Sequence, residues 1–264
     1  MSIRRPHSIA IPLLLLALLA LFSPSTLHAE RTQQVMVKRV IDGDTFLVDR
    51  NLRIRVLGID TPELGRNGLA DDPYAAEAMR RTRDLIDGRS VTLVFDQQGM
   101  DDYGRILAYV KLIDGRDLGE ILLDEGLAMT YVRSPNLSRV EEYLAREERS
   151  RQQGMGIWSL NGAAGRSLSH RDALAAVGGY RRVVGRVDTV SWVGRQAFLN
   201  FGRDYRTDFT VVIDRSDWRR HFQDAPDLTK SYQGKMIAVR GRIMRRNGPM
   251  IRISHPAQIE IILE

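Results

Sequence analysis

Residues Gln34–Asp60, QVMVKRVIDGDTFLVDRNLRIRVLGID, decide the fold. Strand-like runs cover Gln34–Ile41, Thr45–Val48 and Leu52–Ile59, with Asp49-Arg50-Asn51 as the turn between the last two. Asp72-Pro73 then opens a helix that runs to about Ile86, and Gly88 stops it. Val91, Leu93 and Phe95 alternate as a fourth strand, and Ile106, Ala108, Val110 and Leu112 as a fifth. Helices over Leu118–Glu125 and Leu137–Gln153 end at Gly126 and Gly154, and Ile157-Trp158 is expected to pack back on the core. Three strands, a helix and two strands is the order of an OB barrel, a fold that often binds oligonucleotides.

Outward from this region, the 264 residues suggest about two domains. Ser159–Gly179 is rich in Gly, Ala and Ser and reads as a linker, drawn here at 161–179. Strand-like runs resume at Tyr180–Trp192, Gln196–Phe201 and Asp208–Ile213. A helix follows over Ser216–Phe222, with Ser216 as its cap. Strands Lys235–Arg245 and Pro249–Ser254 flank an Asn247-Gly248 turn, and Ile259–Leu263 adds a last one. The order of the first unit returns. The expected fold class is therefore mainly β with helices (α+β): an OB-fold barrel over 30–160, then a second small OB-like barrel over 180–264.

The amino terminus differs. Arg4 and Arg5 precede the apolar Ile9–Phe22, Ser23-Pro24-Ser25 breaks it, and Ala29 offers a small residue for cleavage. This is the layout of a signal peptide over 1–29. The apolar run is short for a spanning helix, so an uncleaved membrane anchor ranks second. The expectation is an exported protein, periplasmic or secreted, with no membrane contact in the mature form. The absence of cysteine excludes disulfides, thiol nucleophiles and cysteine-based metal sites. From Glu30 to Leu160 there are 19 Lys+Arg against 23 Asp+Glu, but from Asn161 to Glu264 there are 18 against 10. The basic surplus belongs to the second unit. Arg far outnumbers Lys, which suits forked contacts to phosphate.

Asp42-Gly43-Asp44-Thr45 falls between the first two strands and by itself reads as a turn. Asp60-Thr61-Pro62-Glu63 follows the third strand, Arg55 lies within it, and Tyr103-Gly104-Arg105 enters the fifth. Barrel closure could bring Asp44, Arg55, Asp60, Glu63 and Arg105 to one patch. Such a surplus of both signs suits phosphodiester hydrolysis. Hard carboxylate oxygens hold Ca²⁺ or Mg²⁺, a further carboxylate takes a proton from water, and arginines stabilise charge on phosphate oxygens.

At these residues the chain resembles the staphylococcal nuclease (thermonuclease) family. The resemblance extends from Val35 to Trp158 and includes Ile41-Asp42-Gly43-Asp44-Thr45, Leu107-Ala108-Tyr109, Glu125-Gly126-Leu127-Ala128, Tyr131 and Pro135-Asn136. It implies a Ca²⁺-dependent nuclease acting on DNA or RNA and leaving a 3′-phosphate and a 5′-hydroxyl. It also implies roles: Asp44, Asp60 and the Thr61 carbonyl as metal ligands, Glu63 as general base, and Arg55 and Arg105 as phosphate clamps. Tyr103 would bind a neighbouring phosphate, and Tyr131 would stack on a base. Four residues depart from the well-known secreted member. Asp102 replaces Lys, Arg133 replaces Tyr, and Asp71-Asp72 stands in a loop that is basic there. These changes touch substrate grip.

In the second unit Arg240 and Arg242 alternate with Ile237, Val239 and Ile243, while Arg182, Arg186 and Arg252 flank further apolar residues. Arg240 and Arg242 are expected to follow a nucleic-acid backbone, with Trp192, Phe198 or Tyr205 available for stacking. The competing reading of the whole chain is a catalytically silent nucleic-acid- or protein-binding OB module. Retention of both site aspartates, both arginines and Glu63 favours the nuclease.

Overall fold

The first half runs β1 (Thr32–Val40), β2 (Thr45–Val48), β3 (Arg53–Val56), β4 (Ile59–Asp60), α1 (Ala75–Ile86), β5 (Ser90–Val94), β6 (Ile106–Lys111), α2 (Leu118–Asp124), β7 (Met129–Thr130) and α3 (Val140–Gln152). A bulge in β1 makes a barrel of it. Thr32–Met36 pairs with β5, and the register then slips between Val37 and Arg39 as the strand passes to β2. A parallel pair, β3 with β6, completes the closed order β1-β2-β3-β6-β5. This computed structural model describes residues 30–65, 70–160 and 166–262. The signal-peptide expectation for 1–29 lies outside them.

Phe46, Ile54, Tyr109 and Tyr143 are fully buried inside and against the barrel. Phe46 and Ile54 each contribute about 1.5–3 kcal/mol through burial, and the Tyr109 and Tyr143 hydroxyls are satisfied by Asp96 and Asp117. The run Leu52–Ile59, expected as one strand, breaks at Gly58 into β3 and β4. Gly58 has φ +76°, and a Cβ there would lie 2.8 Å from the Tyr143 ring, so the chain turns where only glycine fits. The turn sends β4 to pair with β7, with Asp60 opposite Met129. Helix α1 begins after Asp72-Pro73, at Ala75, because Tyr74 stands in the left-handed region with φ +69° and cannot continue a helix; the Asp72 carboxylate accepts from Glu63 N and does not cap it.

The second half runs β8 (Ser167–Ser169), β9 (Tyr180–Arg186), β10 (Thr189–Val193), β11 (Gln196–Asn200), β12 (Thr210–Asp214), α4 (Arg215–His221), α5 (Leu228–Tyr232), β13 (Met236–Arg242), β14 (Met244–Arg246), β15 (Gly248–Ile253) and β16 (Ile259–Ile261). Its pairings follow the order of the first half, including the parallel pair, here β12 with β15. Yet the strands form two sheets, β10-β11-β12-β15-β14 and β16-β13-β9-β8, rather than one closed ring. Breaks after Arg186 and at Ile243 divide the long first and fourth strands between the sheets. Both sheets pack on one core that includes Leu199, Phe209, Val239 and Ile251.

Two expectations need correction. From Arg166 onward the supposed linker is built into the second core: β8 pairs with β9, and Leu168, Ala173 and Ala176 are buried. Small residues here serve close packing, not freedom; residues 161–165 lie outside the described part. Ser216 does not cap α4 but lies inside it, because β12 runs directly into the helix at Arg215. The two halves also share a small core of Met129, Ile157 and Tyr180, with Tyr74, Tyr131 and Trp158 packed against it. Among the described residues no helix is long and apolar enough to cross a membrane.

Candidate active site

Strand register assembles the site. Thr45 pairs with Arg55 across β2 and β3, which brings Asp44 beside the Arg55 guanidinium. Arg55 pairs in turn with Leu107 on β6, two residues beyond Arg105. Arg55 is the hub: it lies 2.8 Å from Asp44 Oδ2 and 3.3 Å from Asp60 Oδ1, and it donates to the Ile59 carbonyl at 2.8 Å. Asp44 Oδ2 also accepts from Thr61 N at 3.0 Å and Thr61 Oγ1 at 3.2 Å. Close approach at Gly43 makes this possible, since a Cβ there would sit 2.7 Å from Thr61 Oγ1.

Burial sets the electrostatics. Asp44, Asp60 and Thr61 are buried, and so is Asp42, whose Oδ1 accepts from Asp44 N. Desolvation, reinforced by the Asp44 charge, pushes the Asp42 carboxyl up to about 7. Desolvation also lifts Asp60 to about 6, against the pull of Arg166 and Arg55. Burial alone would lower Arg55, but Asp44, Asp60 and Asp42 outweigh it and hold the guanidinium above its ordinary range. Carboxylates crowded until they resist ionising are a donor set that a cation relieves. The donors are hard oxygens, which suits Ca²⁺. Among the described residues no three His, Asp or Glu side chains form a cage for an ion. Two aspartates and a carbonyl would leave most ligand positions to water and substrate.

Glu63 is exposed, and its backbone is tied to Asp72 through two hydrogen bonds of 3.3 and 2.9 Å. Arg105 is aimed by Asp101, which accepts from Arg105 Nε at 2.7 Å and from Arg105 N and Tyr103 N. Arg55, Asp60, Glu63, Arg105 and Tyr131 line one cleft of about 170 Å³, together with Arg133 and Arg242. Tyr103 stands exposed, its ring 5.7 Å from the Arg105 guanidinium. Tyr180 packs on Tyr131 at 4.8 Å between ring centroids. Asp102 and Arg133, which depart together from the family pattern, face each other at 3.7 Å.

Residues 53–160 match the model of the family described as staphylococcal nuclease homologue. The chain is 35% identical over 142 residues to the thermonuclease of Staphylococcus hyicus, which covers 52% of this chain and 83% of that protein. It is 34% identical over 145 residues to endonuclease YncB of Bacillus subtilis, covering 53% and 68%.

The chain belongs to the staphylococcal nuclease family.

A third relative is the SPbeta prophage-derived endonuclease YokF of Bacillus subtilis, 38% identical over 133 residues. The chain spans 45% of that protein's length. The family match ends at residue 160, so the second half stands outside it.

In that second half the expected arginine face is not free. Arg240 is buried and makes a two-pronged ion pair with Glu147 on α3, at 2.7 and 2.8 Å, so the reading of Arg240 as a substrate contact is overturned. Alternation along β13 turns Arg240 away from its own core, but the surface it meets is α3, not solvent. Arg182 is likewise spent on Glu260 and Arg252 on Asp214. Arg242 differs: it donates to the Gly178 carbonyl and lines the active cleft. Trp192 packs on Trp218 at 5.3 Å, leaving Phe198 and Tyr205 to line a second cleft with Arg246 and Asn200. Sequence reasoning missed Asp42 as a buried charge, Tyr180 as a cover for Tyr131, and Arg166 beside Asp60. Asp42 had a local signal in its motif; the other two had none.

Proposed function

We propose that this chain is a Ca²⁺-dependent nuclease that hydrolyses phosphodiester bonds of DNA or RNA, with Glu63 activating water and Arg55 and Arg105 stabilising the phosphate. Its standing as a phosphodiester hydrolase follows from its family and from relatives named endonuclease and thermonuclease. The finer reading rests on one observation: Arg55, Asp60, Glu63 and Arg105 converge on one cleft, with Asp44 directly behind Arg55.

Asp44, Asp60 and the Thr61 carbonyl would hold the ion. Bound there, Ca²⁺ would polarise the phosphate and offset its charge. Glu63, exposed at the cleft, takes the proton of the attacking water. Arg55 and Arg105 face the phosphate from two sides and meet the charge that grows on its oxygens. Their own partners, Asp44 and Asp101, hold them in place beforehand. Tyr103 and Arg242 extend the cleft for neighbouring phosphates, and Tyr131 offers a ring to a base.

A site with so few protein ligands binds Ca²⁺ weakly, at about 10⁻⁴–10⁻³ M, as extracellular modules do. Such a site fills only outside the cytoplasm, which supports export. The test is incubation of the mature protein with labelled DNA and RNA, with Ca²⁺ or with chelator, followed by end-group analysis. Cleavage that stops in chelator, returns with Ca²⁺ and leaves 3′-phosphate ends is expected. Full activity in chelator would sink the two-aspartate metal assignment.

A further inference from the structure

Arg166 lies outside the family match, at the start of the second half, yet its side chain reaches the first half's site. It is one of the most buried arginines described, with only 5% of its side chain exposed. A buried guanidinium is costly unless it is paired and hydrogen-bonded. Here Nη1 lies 3.5 Å from Asp60 Oδ2 and donates to the Tyr180 carbonyl at 3.1 Å. Nη2 lies 3.4 Å from Asp72 Oδ2, the same oxygen that accepts from Glu63 N. The backbone is anchored too, since the Arg166 carbonyl accepts from Arg182 N at 2.9 Å, on β9. One fork therefore joins the proposed metal ligand to the carboxylate that fixes the backbone of the proposed base.

We infer that Arg166 is a positioning residue of the nuclease site: it holds Asp60 toward the metal and, through Asp72, holds Glu63 toward the water. The inference rests on the roles given above to Asp60 and Glu63. It makes the second half part of the catalytic apparatus rather than a tethered capture module. It also explains Asp72, an acidic departure in a loop that is basic in the well-known secreted member. Arg166 supplies the matching charge from outside the nuclease half. Arginine is required by shape, because its planar fork serves two carboxylates at once, while lysine is a point charge.

A positioning role and a merely structural one differ in what they move. Misplacing a reacting group by about 1 Å costs on the order of 10²-fold in rate. Removing a cation beside Asp60 also removes a charge that repels Ca²⁺. In the full-length mature protein, Arg166→Met should therefore lose roughly 10- to 100-fold in kcat at saturating Ca²⁺, with KM for DNA within about threefold of the parent. Calorimetric titration with Ca²⁺ alone should show affinity changed far less than kcat, because the loosened ligand and the lost repulsion act in opposite directions. Arg166→Lys should recover part of kcat. Asp72→Asn should lose kcat similarly, and the Arg166→Met/Asp72→Asn pair should be little worse than the poorer single variant, as for two residues acting through one path.

Parental kcat in Arg166→Met, or Ca²⁺ affinity falling in step with kcat, overturns the inference and leaves Arg166 as a structural pin. Fully additive losses in the double variant overturn the path through Asp72. Should Arg166→Met fail to fold, Arg166→Lys and Asp72→Asn carry the same comparison. Glu63→Gln is run alongside. Parental turnover in that variant refutes the assignment of the base, separately from any result at Arg166.

Discussion

The two halves follow nearly the same order of strand pairing and treat charge in opposite ways. In the first, Asp42, Asp44 and Asp60 are buried together beside the half-buried Arg55 near one end of a closed barrel, and two of the aspartates are pushed up by desolvation. In the second, buried arginines are each matched: Arg240 with Glu147, Arg182 with Glu260. Its unburied arginines, such as Arg203, Arg206, Arg245 and Arg246, stay in solvent. A shared topology thus supports a crowded, functional charge cluster in one place and, Arg166 apart, ion-paired structural arginines in another. What separates them is closure. The closed barrel gathers loop ends into one cleft, while the two-sheet half spreads its side chains over a face and an interface.

The largest test of this contrast is Glu63→Gln, which keeps shape and removes the proton acceptor. Turnover should fall roughly 10²- to 10⁴-fold while binding of uncleavable DNA is largely kept. Rapid-quench kinetics measures it, and parental turnover would move the chemistry away from the first half's cleft. Next comes the interface. Arg240→Met strands the buried Glu147 carboxylate and should cost about 3–5 kcal/mol of stability in urea unfolding. Arg240→Met/Glu147→Gln should recover most of that. Equal stability of the parent and Arg240→Met would mean that the halves are not joined through this pair. The smallest effect concerns the solvated arginines. Replacing Arg245 and Arg246 with Ala should lower the log–log salt slope for single-stranded DNA binding by up to about 0.7 for each phosphate no longer neutralised. An unchanged slope in a filter-binding salt series would mean that this face does not meet nucleic acid, and a protein or envelope-surface partner would become the better reading.

Much of the first half was legible because its signals are local. Alternation along β5, and along β1 as far as its bulge, reports which residues face the barrel interior, whereas β6 is buried on both faces. The residues of Asp42–Thr45 and Asp60–Glu63 lie at strand ends, where register, the turn at Gly58 and the close approach at Gly43 bring them together. The break at Gly58 was harder to see, because the need for glycine comes from Tyr143, far along the chain on α3. From Arg166 onward the reading of 161–179 as a linker gives way to built structure for a related reason. Small residues suit flexible chain and tight packing equally, and composition does not distinguish them.

The sequence by itself determined the order of the strands, the membership of the nuclease family and the identity of the acidic and basic groups in the motifs. The strand order follows from periodicity, and the family from the resemblance of whole motifs to those of known nucleases. Only the tertiary structure decided what each outward-facing side chain meets. Alternation along β13 shows that Arg240 points away from its own core, but not that Glu147, 93 positions earlier, covers it. Nor does the sequence near Arg166 show that its guanidinium ends between Asp60 and Asp72. A pattern with period two assigns a face. Whether that face meets water, substrate or another part of the chain depends on packing between distant elements, and burial then decides whether a charge is solvated, paired or poised for chemistry.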